Sequence, residues 1–106
     1  MKSTYVMQIS KHSPESCPMV DDSNKKVTAA MIQKMDSLLA KHGVKLAGSW
    51  TDFPAHLIYN IYETPNMEAL VKLSMEPEMM AWLRFNLVES KIVLTMQDVK
   101  AMLNIR

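Results

Sequence analysis

The eight residues His-Leu-Ile-Tyr-Asn-Ile-Tyr-Glu, running from His56 to Glu63, restrict the fold more than any other stretch of the chain. They are rich in strand formers, and counted alternately they are apolar on both sides. Leu57, Tyr59 and Ile61 lie on one side, Ile58 and Tyr62 on the other. Such a strand is usually central in its sheet, with both faces covered. The remainder of a 106-residue chain has to supply that cover. A chain of this length is expected to form one domain, residues 1–106.

The flanking segments have readable periodicities. Residues 4–11 form a first strand, and the two prolines in residues 12–18 mark a loop. Asp21, Asp22 and Ser23 are helix N-cap candidates. Val27, Met31, Ile32, Met35, Leu38 and Leu39 then recur at helical spacing as far as His42, and Gly43 suits the left-handed end of that helix. Val44 to Phe53 reads as a second strand, with Val44, Leu46 and Trp50 alternating against Lys45, Ser49 and Thr51. After the third strand, Thr64-Pro65-Asn66 opens a helix with proline in its first turn, and Pro77 starts a further helical stretch through Arg84. A fourth strand lies within Leu87 to Met96, and residues 97–103 form a terminal helix capped by Thr95.

The order is β-α-β-β-α-β plus a helix, an α+β, ferredoxin-like arrangement with an antiparallel sheet in the order 4-1-3-2. Helices cover one face of such a sheet. The other face of the third strand is still apolar, and a second copy of the chain is its simplest cover. The expected partner is therefore the protein itself, as a homodimer or higher homo-oligomer.

Composition narrows the function. Lys plus Arg is 12 against 11 for Asp plus Glu, which leaves no electrostatic footprint for nucleic acid or an anionic membrane. No apolar run reaches the roughly 18 residues of a membrane span, and no signal-peptide pattern opens the chain, so a cytoplasmic address is expected. The single cysteine, Cys17, excludes an internal disulfide and a four-cysteine zinc site within one chain. With two glycines only, Gly43 and Gly48, no nucleotide- or flavin-binding loop of the Walker or Rossmann type is visible. Eleven methionines imply an interior, or a ligand pocket, of adaptable shape.

Residues 43–51 (Gly-Val-Lys-Leu-Ala-Gly-Ser-Trp-Thr) followed by His56 to Leu70 resemble the core of GYD-type families of the dimeric α+β barrel superfamily. In those families a Gly-x-x-x-x-Gly strand with a following aromatic leads to a hydrophobic strand ending Glu-x-Pro and then a helix. The superfamily includes muconolactone isomerases, small antibiotic monooxygenases and haem-binding members. The close match covers residues 43–71; Phe53-Pro54-Ala55-His56 replaces the Gly-Tyr-Asp-like turn. The resemblance implies the fold and a dimer, and it carries no site residue over.

Antiparallel pairing of strands 1 and 3 brings His12, at the end of one, to within about 10 Å of His56, at the start of the other. The loop bearing Glu15 and Cys17 converges on the same end. Two imidazoles and a thiol suit a transition metal, so His12, Cys17 and His56 are the candidate ligands. The same groups suit acid-base work, with His12, His56 and the mid-strand amide of Asn60 as candidate catalytic residues. Trp50, Tyr59, Tyr62 and Trp82 are candidates for lining a pocket between sheet and helices, with Phe85 beside them; filling the core or an interface is their ordinary use. His42 suits the helix end electrostatically. Three functions fit: a binder of a small hydrophobic molecule, as isomerase or cofactor-free monooxygenase if catalytic; a metal-binding protein; or a non-enzymatic ligand-sensing or assembly module.

Overall fold

Short polar side chains start the helices of the computed structural model, which describes residues 3–106. The Asp21 carboxylate accepts from the Asn24 N–H at 2.8 Å and opens α1 (Asp22–His42). Gly43 ends that helix in the left-handed conformation, φ +66°, with its N–H on the Ala40 and Leu39 carbonyls. A β-carbon would be strained at that φ. The Asn66 amide oxygen takes the Ala69 N–H at 2.8 Å and caps α2 (Met67–Ser74). Pro65 therefore precedes the cap instead of occupying the first turn. Pro77 stands at the first position of α3 (Pro77–Leu83), where a missing N–H costs nothing. Thr95 and Asp98 cap α4 (Met96–Met102) reciprocally.

The strands are β1 (Thr4–Lys11), β2 (Lys45–Asp52), β3 (Leu57–Thr64) and β4 (Leu87–Val93). All three pairings are antiparallel and the sheet order is β2-β3-β1-β4, the 4-1-3-2 order of a ferredoxin-like α+β fold. β1 and β3 are its centre. No described helix is long and apolar enough to cross a membrane.

One local detail departs from simple alternation. The β2–β3 register shifts between Leu46 and Gly48, so Ala47 has no partner on β3. Such a bulge inverts the phase of the strand beyond it. Leu46 faces the helices, and after the bulge so do Ser49 and Thr51, while Gly48 and Trp50 turn to the other face. The indole of Trp50 lies over Gly48, where an added Cβ would stand 2.3 Å from the ring.

The helix-facing side of the sheet contributes Val6 and Tyr62 to the core, packed against Leu38, Leu39, Leu70, Leu73, Met79 and Trp82. Ser10 and Thr64 are buried with them. The register places Met7, Ile9, Tyr59 and Ile61 together on the opposite side, where each is half-buried.

Candidate functional site

The β1–β3 ladder continues one rung beyond Lys11 and Leu57, because the His12 N–H donates to the His56 carbonyl at 3.3 Å. Backbone pairing thus sets the two histidines side by side, with ring centroids 5.3 Å apart and ring planes at 63°. His56 closes the turn after β2, where its N–H meets the Phe53 carbonyl at 3.1 Å. Its φ is +56°, a conformation unusual for a residue with a β-carbon.

Cys17 follows a short 3-10 turn, Pro14–Ser16, and its carbonyl accepts the N–H groups of both Val20 and Asp21 at 2.9 Å. These bonds tie the loop to the start of α1. The residue is 5% exposed. One donor atom from each of His12, Cys17 and His56 lies within 4.8 Å of the other two. Glu15 is exposed and stands outside this group.

The hydrogen bonds determine which nitrogen of His12 is free. Asn86 is buried and its amide NH2 donates to the Trp82 carbonyl at 3.0 Å. That orients its oxygen toward His12 Nδ1, 3.1 Å away. An amide oxygen only accepts, so Nδ1 carries a proton, and in the neutral ring Nε2 is the nitrogen with the lone pair. This Nε2 is buried without a partner, and so is Nδ1 of His56. Buried polar atoms left in this state are rare in folded proteins.

The three residues line a cavity of about 500 Å³ between the sheet and helices α1 and α3. Met31 and Met35 of α1, Met79 of α3 and Met19 of the preceding loop line it, which puts four methionines around one space. Its polar wall is small. Ser49 donates to the Asn60 side-chain oxygen at 2.6 Å. Burial raises the Tyr62 pKa, opposed by a hydrogen bond with Asn60, and the phenol stays protonated. The Thr28 hydroxyl is buried there without a partner.

Of the residues read from the sequence, His12, Cys17, His56, Asn60, Tyr62 and Trp82 all line this cavity. Trp50 and Tyr59 do not. They pair across β2 and β3 on the face away from the helices, and Trp50 is 58% exposed. The bulge at Ala47 is the reason for Trp50, and strand parity the reason for Tyr59. Phe85 stands behind His12, with ring centroids 6.5 Å apart. His42 is a structural tie, its Nε2 2.6 Å from a Glu76 oxygen. Asn86 and Thr28 were not legible beforehand. An asparagine after a helix reads as an ordinary turn residue, and only the packing of that turn against His12 gives it a role.

No family model and no curated protein matches the chain. Among solved structures it is similar to a nipsnap-family protein of unknown function from Agrobacterium tumefaciens. That likeness has a TM-score of 0.57 and 16% identity, and covers 87% of this chain and 86% of that one. At this identity the likeness is one of fold, and the fold it shows is the ferredoxin-like α+β sheet.

Proposed function

We propose that the protein binds a small, mainly apolar molecule in the cavity between its sheet and helices, with the polar end of that molecule at the histidine pair. One observation carries the reading: a cavity of about 500 Å³, of the size that holds small ligands, is lined by two histidines that each keep a buried, unpartnered ring nitrogen. Each unmade bond costs about 1–3 kcal/mol, which a hydrogen-bonding ligand recovers. The methionine walls adapt to ligand shape.

The chemistry available there is proton transfer. His12 Nε2, its tautomer held by Asn86, can accept a proton from a carbon acid and return the same proton at a second carbon, with His56 beside it to orient the substrate. Asn60 and Tyr62 can orient a carbonyl or hydroxyl. Isomerisation of this kind is balanced in atoms and electrons and needs no other reactant. The likeness of residues 43–71 to GYD-type families of the dimeric α+β barrels is consistent with this reading and names no substrate.

Trp82 supplies the test. In the variant Trp50→Phe it is the one remaining tryptophan, at the cavity wall. Titration with decan-2-one and with 2-naphthol, in the presence of a metal chelator, is expected to give a saturable change in its fluorescence. Met35→Trp, made in the wild-type background and read by calorimetry, fills the cavity and should weaken binding by about tenfold or more. Absence of saturable binding by both compounds, or binding indifferent to Met35→Trp, would overturn the reading.

A further inference from the structure

We propose that His12, Cys17 and His56 form a binding site for a thiophilic d10 metal ion, Zn(II) or Cu(I), whose remaining coordination position opens into the apolar cavity. The proposal goes beyond an organic ligand and does not depend on one.

The donor set selects the ion. Imidazole and thiolate ligands suit borderline and soft metals; no carboxylate is in the group, so hard cations such as calcium or magnesium have nothing to hold them. His12 is 8% exposed and Cys17 5%, so these two donors are removed from competing water, and His56 is partly buried. The lone pairs are presented as well as present. Asn86 holds the proton on His12 Nδ1 and leaves Nε2 to bind, the arrangement by which outer partners orient metal-ligating histidines. Nδ1 of His56 is likewise buried and unpartnered. Both histidines of the group carry an unmade bond, and one ion bound through those nitrogens and the thiol would satisfy both.

Geometry agrees with a modest closure. Donors around a tetrahedral zinc, with bonds of roughly 2.0–2.3 Å, lie about 3.3–3.7 Å from one another. The present spread of up to 4.8 Å shrinks to that by about an ångström of side-chain rotation. Three protein ligands leave Zn(II) one position for water or a ligand from the cavity, and complete a trigonal site for Cu(I). The left-handed backbone at His56 is the kind of strain found where a functional side chain must be aimed. On binding, the Cys17 thiol gives up its proton to solvent as the metal–sulfur bond forms, so no oxidant or reductant is consumed.

The experiment uses reduced, chelator-stripped full-length protein with no organic probe present. Zn(II) is titrated against a chromophoric chelator, Cu(I) anaerobically against bicinchoninate, and Co(II) serves as a coloured substitute for zinc. One equivalent per chain is expected, with a near-ultraviolet thiolate-to-cobalt band and release of about one proton. Cys17→Ser and His56→Gly should each weaken binding by at least about a hundredfold and abolish or shift that band. The relative affinity for zinc and copper decides which ion the site prefers. Absence of one-equivalent binding for both ions, or stoichiometric binding without a thiolate band, would overturn the proposal, and so would binding unchanged in both variants. The wild-type cobalt spectrum decides the matter if a variant fails to fold. Failure here leaves the fluorescence result in chelator untouched, so the two readings fall separately.

Discussion

His56 has two conflicting roles at the scale of one residue. The residue lines the cavity, yet its backbone sits at φ +56°. An L-residue in the left-handed region is disfavoured by about 1–2 kcal/mol, and glycine adopts it freely. His56→Gly removes the ring and this strain together. The relief offsets most of the lost packing, because the residue is only partly buried. We expect urea denaturation to give an unfolding free energy within about 1 kcal/mol of wild type. A loss above about 3 kcal/mol would show that the imidazole is a structural prop, since losses of that size come from breaking buried packing or networks.

Among the elements, the end of α1 is bound to the junction of α2 and α3. Glu76 accepts from Lys41 Nζ at 2.8 Å and lies 2.6 Å from His42 Nε2, with its side chain 13% exposed. Both partners occupy the last turn of α1, where positive charge also meets the negative end of the helix dipole. The Lys41 hydrogen bond first, and that of His42 second, hold the Glu76 pKa below the usual carboxylate range. The unfolded chain therefore binds more protons than the native one between that lowered value and the unfolded value of about 4.3. Stability contributed by Glu76 is complete above this window and is lost as pH falls through the folded pKa. Thermal melts of wild type and Glu76→Gln should differ most near neutrality and converge in acid. A gap that widens on acidification would refute the assignment.

At the scale of the whole molecule, the sheet face away from the helices carries a cluster of apolar side chains. Met7, Ile9, Tyr59 and Ile61 form its centre and Trp50 its flank. We propose that two protomers pack these faces together, which removes an apolar patch that monomers rarely expose. Parity on β3 provides the check. Ile61→Lys alters the outer face and should give a folded monomer by light scattering and circular dichroism. Ile58→Lys places a charge in the cavity wall and against the core, at a cost of several kcal/mol, comparable with the whole stability of a small domain. It should lose cooperative unfolding. A wild-type monomer at micromolar concentration would remove the proposal.

The element order, a cap for α1 within residues 21–23, the cap at Thr95, the end at Gly43 and the central place of β3 were all determined by the sequence itself, and the structure picks Asp21 among the three. Each depends on local chemistry or on a period of two or 3.6 residues, and these are written in consecutive positions. The meeting of His12 with His56 was legible for the same reason, since strand order and antiparallel sense imply it. Cys17 was placed near them by its loop, but not to within bonding reach. What the tertiary structure alone decided depends on phase and on distant packing. The unpaired Ala47 reversed the faces of β2 and sent Trp50 away from the cavity, because one added residue inverts a period of two. Asn86 holds His12 across 74 positions of sequence. Which nitrogen of that ring is free follows from the bond between them, and no local pattern carries that information.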